Sequence, residues 1–414
     1  MKGSIYNSIK RLMKGGVLVI LINIASYPIL TSLYSPEDYG LFSIFLYTSM
    51  LFSTISLGRL ELFIPSQLCE KKYKLAFNAS INNLLFVSLL SIPIGIAILY
   101  SSESPVFQVL SLSLVVFLGG ANQLVISILL RDGNYAHYNA TLISQVFSSV
   151  TLQLVLYFLF PYWETLVFGY MVSFLFSIFC LNRKLVVNLL SNYKFDYFEY
   201  VIFLKENKKS WLPNSFQSLL NVVSIYILAQ GVNVLGGAKE VGYFSLCHKL
   251  LVIPVRVFGN SSKQALLKEL SLINVEDAFR TVVKTTCLLG VLSFLSFLII
   301  GLVAPYIIKH VFGEEWQGVI DYIFPISIWL SFTVLYTPTI ALCNVFKDVR
   351  GHLYYELINL LSRVVILAFF YYYEVGFGVI NYLYFTSALS CFLILLFIFF
   401  ALFYFRRKSA YEGS

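Results

Sequence analysis

About twelve apolar stretches follow one another along this chain, at roughly 12–33, 40–62, 77–100, 106–130, 138–160, 164–181, 211–235, 241–262, 282–304, 318–344, 353–373 and 380–405. Each is close to the ~20 residues that a helix needs to cross the hydrocarbon core of a bilayer. Backbone polar groups inside a bilayer must be satisfied within the protein, so a chain of this pattern folds as a bundle of helices. The connections are mostly short, which puts nearly the whole chain, and any site it carries, in the membrane. With 58% hydrophobic and only 12% charged residues over 414 positions, a soluble core is excluded.

The formal net charge of +8 would suggest a nucleic-acid partner in a soluble protein. Its distribution argues otherwise. If both termini are cytoplasmic, basic residues crowd one side, from Lys2 to Lys14, Lys71 to Lys74, Arg183 to Lys209 and Arg406 to Lys408, whereas Lys239 and Lys309 fall in outside connections. That asymmetry fixes orientation by the positive-inside rule and leaves no need for nucleic acid. The basic leader before the first stretch precedes a long apolar run without a clear small-residue cleavage site, so a retained helix is expected rather than a secretion signal. Six scattered cysteines, with no close pair, give neither a disulfide framework nor a thiolate metal site.

The longest polar stretch, about 182–210, carries six basic residues and separates six apolar stretches from six. The expected organisation is an N-terminal six-helix bundle over 1–195, a cytoplasmic linker over 196–210 and a C-terminal six-helix bundle over 211–414. A short echo supports the division: Gly40-Leu41-Phe42-Ser43 follows the first stretch and Gly242-Tyr243-Phe244-Ser245 follows the seventh. Six spans between the copies make the halves parallel repeats, a transporter pattern.

The run from Pro28 to Phe42 (PILTSLYSPEDYGLF), closing later with Arg59-Leu60-Glu61-Leu62, resembles the N-terminal signature of bacterial O-antigen and capsule flippases. These belong to the multidrug/oligosaccharidyl-lipid/polysaccharide exporter superfamily. Glu240 to Ser245 (EVGYFS) and Phe312 to Trp316 (FGEEW) agree with it, extending the resemblance over nearly the whole chain. The resemblance implies an all-α integral membrane protein of about 12 transmembrane helices, in two parallel six-helix bundles forming a V around a central cavity. It also implies an inner-membrane flippase that carries an undecaprenyl-diphosphate-linked oligosaccharide to the outer leaflet by alternating access, with no covalent chemistry.

Charges within the hydrocarbon cost roughly 2.5–3.5 kcal/mol each on insertion scales, so they mark functional candidates. In the eighth stretch Ser245, Lys249, Arg256, Asn260 and Lys263 recur at offsets of four, seven, four and three, which confines them to an arc of about 60° on one helix face. Lys249 and Arg256 suit a phosphate-bearing substrate or an ion pair with a carboxylate of another helix. Pro254 between them is expected to interrupt the helix. Arg59 and Glu61 end the second stretch; two apart on a helix, they are not expected to pair. Glu356, Asn359 and Arg363 share a face of the eleventh, where Glu356 could exchange a coupling ion or bridge to an arginine. The seventh begins at Pro213 and carries Asn214, Gln217, Asn221 and Ser224 along one stripe, as cavity lining or as helix glue.

The substrate-binding set expected is therefore Arg59, Lys249, Arg256, Arg363, Gln217, Asn221 and Asn260, with Glu61 and Glu356 as ion-coupling candidates. No cofactor or metal is expected; coupling to a proton or sodium gradient is. The partners expected are the lipid-linked oligosaccharide, membrane lipids, a polysaccharide polymerase and a chain-length regulator. A membrane glycan polymerase or acyltransferase would need an exposed acid, base or nucleophile, and the four histidines have no metal-ligand spacing. An ion-coupled multidrug exporter is the nearer alternative, but the intramembrane excess is positive and favours an anionic substrate.

Overall fold

The computed structural model describes residues 2–66, 69–99, 105–193, 196–270, 272–346, 350–373 and 378–412. In chain order the α-helices are α1 (Lys2–Thr31), α2 (Pro36–Ser56), α3 (Glu70–Leu99), α4 (Pro105–Arg131), α5 (Tyr135–Tyr157), α6 (Glu164–Leu175), α7 (Asn182–Asn192), α8 (Tyr197–Gly236), α9 (Ala238–Leu270), α10 (Val275–Val311), α11 (Val319–Leu335), α12 (Thr337–Val345), α13 (Arg350–Tyr372) and α14 (Val379–Glu412). No strand occurs among the described residues.

Nine helical stretches of the described residues are long and apolar enough to cross a membrane, and Gly15–Thr31 and Glu164–Phe179 are shorter apolar helices. Helix α9 covers the remaining expected position. The chain is an all-α, multi-pass integral membrane protein.

Several boundaries differ from expectation, for identifiable reasons. Helix α2 stops at Ser56, short of the expected 62, because Gly58 and Arg59 take left-handed backbone with φ of 60° and 57°. The tenth expected span is two helices meeting at Tyr336: Pro338, in the first turn of α12, has no N–H to continue the ladder of α11. Pro254, by contrast, does not interrupt α9, which runs unbroken over 33 residues. Pro213 does not begin its helix either; it lies inside the 40 residues of α8, so the 196–210 stretch is largely helical. One missing hydrogen bond is tolerable where neighbouring turns hold the helix. Between α6 and α7, residues Phe176–Leu181 form a π-helical turn. There Asn182 donates to the Ser177 carbonyl and to Thr141 Oγ1, both at 3.0 Å, and Ser177 Oγ donates to Asn122 Oδ1 at 2.9 Å.

Two compact units divide the chain, the first comprising Met1–Tyr34 and Leu41–Val222, the second Ser35–Gly40 and Val223–Ser414. In the first, α3 packs on α4, α5 on α6 and α1 on α5. Buried Tyr34 ties these together, its hydroxyl donating to the Gln153 carbonyl at 2.9 Å and lying 2.8 Å from Thr165 Oγ1. In the second, α11 packs on α9, α10 and α14, and α13 packs on α14.

The second unit explains the sequence echo. A Cβ placed on Gly40 would lie 1.8 Å from the carbonyl oxygen of Ala238, and one on Gly242 would lie 1.9 Å from that of Pro36. The first turns of α2 and α9 thus cross reciprocally, each on the other's glycine. Only glycine permits that approach. Beside the crossing, buried Trp316 meets Tyr39 and Tyr243 edge to face at 5.6 and 6.2 Å. Tyr243 donates to the Glu315 carbonyl at 2.8 Å, and Tyr322 to the Glu240 carboxylate. Residues of all three signature stretches meet here, so part of what the signature encodes is this packing.

Candidate functional site

In the first unit the candidate residues gather around the turn that ends α2. Asn83 of α3 caps the helix, its Nδ2 donating to the carbonyls of Ile55 and Ser56 at 2.8 and 3.0 Å. Helix α8 grips the turn from the other side: Ser215 Oγ donates to the Gly58 carbonyl at 2.8 Å, and Arg59 Nε donates to Ser218 Oγ at 3.0 Å. Arg59 is the one non-glycine residue with positive φ among those described, and such a conformation is held only by surrounding contacts.

Arg59 and Glu61 do pair, with Nη1 3.8 Å from Oε1. The expectation that they would not assumed a continuous helix; the left-handed turn followed by the 3₁₀ turn Leu60–Leu62 brings both side chains to one side. Glu61 is 4% exposed, and its Oε2 has no hydrogen-bond partner among the described residues. This carboxylate lies in the connection between two spans. Burial outweighs the backbone hydrogen bond and the Arg59 charge, and holds its carboxyl above the ordinary carboxylate range. On α8, Gln217 is half-buried and Asn214 and Asn221 are exposed.

In the second unit the polar face of α9 runs from buried to open. Ser245 is fully buried and Lys249 half-buried, its ammonium 3.0 Å from the Tyr39 hydroxyl and 4.4 Å from that ring's centroid. Arg256, two turns on, is exposed, with no hydrogen bond or ion pair among the described residues. Lys263 is half-buried, and the side chain of Asn260 lies outside the described residues. The neighbouring turn of α9 carries a stack: His248 lies parallel to Phe244 at 5.8 Å and to Trp329 of α11 at 5.7 Å.

That stack ends on Arg363, whose guanidinium sits 4.8 Å from the Trp329 ring. Arg363 is 2% exposed; its Nη1 donates to the Ser224 carbonyl at 2.9 Å and its Nη2 to Ser390 Oγ at 3.4 Å. Ser390 in turn donates to Asn359 at 3.1 Å. The shared face of Glu356, Asn359 and Arg363 is therefore buried protein interior. The described ion pair of Glu356 is made along its own helix, to His352 at 3.4 Å.

Sequence reasoning missed Tyr39, His352, Trp329 and Ser218. The i,i+4 spacing of His352 and Glu356 was readable. Trp329 and Ser218 had no signal, since their partners lie on distant elements.

Comparison with known proteins places this architecture. A family model described as "Polysaccharide biosynthesis protein" matches residues 29–321, and the chain belongs to that family. No curated relative matches. Among solved structures, the chain is similar to a multidrug resistance MATE family transporter of the MOP superfamily in an inward-facing conformation, at 15% identity and TM-score 0.69, over 98% of this chain and 99% of that one. It is similar to the lipid II flippase MurJ in an inward closed conformation, at 12% identity and TM-score 0.69, over 96% and 87%. A third similar structure is a MOP superfamily transporter from Pyrococcus furiosus described by the reverse polarity of its binding pocket, at 16% identity and TM-score 0.59, over 98% and 95%. The fold is thus that of the MOP superfamily, and these neighbours are transporters and a flippase rather than enzymes.

Proposed function

We propose that this protein is a flippase for a polyprenyl-diphosphate-linked oligosaccharide, delivering repeat units across the inner membrane for O-antigen or capsule assembly. The observation that carries the reading is the α9 face. Arg256 stands exposed within an apolar span, two turns from Lys249, with no carboxylate among the described residues to neutralise it. An unneutralised arginine at such a depth is costly unless it meets water or an anion, and a diphosphate is matched by the guanidinium fork. Membership of a polysaccharide biosynthesis family supports a glycan cargo, and a lipid flippase of the same fold supports the lipid carrier. The reading places the termini in the cytoplasm, couples export to an ion gradient, and makes the polymerase and chain-length regulator its downstream partners. Outward release requires a lower affinity in the outward state, which the gradient supplies.

The test is a leaflet-resolved assay in proteoliposomes with a lipid-linked oligosaccharide, comparing the intact protein with Arg256→Ala, Arg256→Lys and Lys249→Ala. Translocation is expected in the intact protein and lost in Arg256→Ala, by about tenfold or more for a lost charge-assisted contact, with partial rescue by lysine. Movement of small organic cations instead of the glycolipid would replace this reading with multidrug export.

A further inference from the structure

On the second unit, an apolar groove of about 410 Å³ runs between α13 and α14. Its floor is buried, made by Cys343, Tyr355, Phe397 and Phe405. Its walls are exposed, Tyr354 and Ile358 on α13 and Phe400 and Tyr404 on α14 being 62%, 50%, 61% and 50% accessible. Along α14 the lining from Leu393 to Phe405 extends about 18 Å at 1.5 Å per residue. Gly351 lines the groove without a side chain; a Cβ on it would only touch Phe397, at 3.8 Å.

An arginine stands just beyond the lining on each helix, Arg350 one residue before Gly351 and Arg407 two residues after Phe405. On α13, Arg350, Tyr354 and Ile358 recur every four residues; on α14, Phe400, Tyr404 and Arg407 recur at four and three. Those spacings put each arginine on the stripe that forms the groove wall. Arg350 begins one apolar span and Arg407 ends the other, so both stand where hydrocarbon gives way to headgroups. Each is exposed, and Arg407 also covers the Phe403 ring at 4.8 Å. No carboxylate lines the groove.

We infer that this groove is a binding site for an anionic phospholipid, one acyl chain lying along Phe397 and Phe400 and the phosphate held between Arg350 and Arg407. Charge complementarity selects this occupant. An apolar trough alone would accept any lipid chain, whereas two arginines flanking its lining favour a negatively charged headgroup. The inference is independent of what the protein transports.

Native mass spectrometry and thermal unfolding of the full chain in detergent test it, with phosphatidylglycerol and phosphatidylcholine as probes. Phosphatidylglycerol is expected to be retained and to raise the melting temperature, as a ligand of the folded state does; phosphatidylcholine is expected to do so far less. Gly351→Leu, which fills the groove, should lose the increment from phosphatidylglycerol while its melting temperature without lipid is kept. Should that variant not fold, Arg350→Gln with Arg407→Gln, both at exposed positions, should weaken the anionic lipid by about tenfold and abolish its advantage over phosphatidylcholine. Equal increments from the two lipids in the intact protein, an unchanged increment in the variants, or displacement of phosphatidylglycerol by a polyprenyl diphosphate would each overturn the inference.

Discussion

Buried charge at single residues is where the physics of this protein is most exposed. Glu61 holds its proton more tightly in the folded chain than in the unfolded one, because burial opposes ionisation. The stability it contributes is therefore complete below the ordinary carboxylate value of 4.5 and is lost as pH rises through the raised folded value. Glu61→Gln removes that titration. Melting curves between about pH 4 and 8 should show the intact protein losing stability relative to the variant as pH increases, and a constant difference would contradict the assignment. Arg363 gives a second prediction. It bonds Ser224 and Ser390 and lies on Trp329, an arrangement that a lysine cannot reproduce. Arg363→Lys should cost about 1.5–3 kcal/mol, the weight of one hydrogen bond to a charged group, read as a lower melting temperature in detergent. The spacing of Glu356, Asn359 and Arg363 was legible as a common face, but a repeat of three and four does not say whether that face meets water or protein. Arg363 owes its burial to α8, α11 and α14, which no local pattern announces.

Helices and their crossings carry the next level. The echo between Gly40 and Gly242 was readable as a repeat, and the structure gives its cause: two helix starts packed backbone to backbone. Gly40→Ala and Gly242→Ala should each destabilise by about 1–3 kcal/mol, the range for forcing extra atoms into a packed site, since the obstacles at 1.8 and 1.9 Å are carbonyl oxygens that cannot rotate away. Gly301→Ala in α10 is the control, with nothing within 4 Å of its Cβ, and should leave stability unchanged or slightly raised. Thermal unfolding of the three variants decides; equal behaviour would remove the crossing as a determinant of the fold. Apolar run length located the spans well because the bilayer imposes it. Proline was a poorer guide. Pro338 ends a helix and Pro254 does not, and the difference depends on how neighbouring turns are held. The left-handed turn at Gly58 and Arg59 was equally invisible, and with it the pairing of Arg59 and Glu61.

At the scale of the whole molecule, one requirement connects the spans to function: the chain must present its basic connections to one side of the membrane. In the orientation proposed, Lys184 is cytoplasmic and Lys239 lies outside, with a single span of the chain, α8, between them. The helical start of α8 does not alter this count, because its apolar part, Trp211–Gly236, crosses once. Cysteine placed at either position, in a chain whose six native cysteines are replaced by alanine or serine, reports its side through a membrane-impermeant thiol reagent applied to intact cells. Position 239 is expected to react from outside, and position 184 only after the membrane is opened. Cysteines at positions 74 and 309 should follow 184 and 239 respectively, since an even number of spans separates the members of each pair. If 184 and 239 react from the same side, α8 does not span and the parallel relation of the two repeats fails. The two-repeat topology in which Arg256 is read as an intramembrane charge would then have to be redrawn, because the cost of that charge depends on the depth at which it sits.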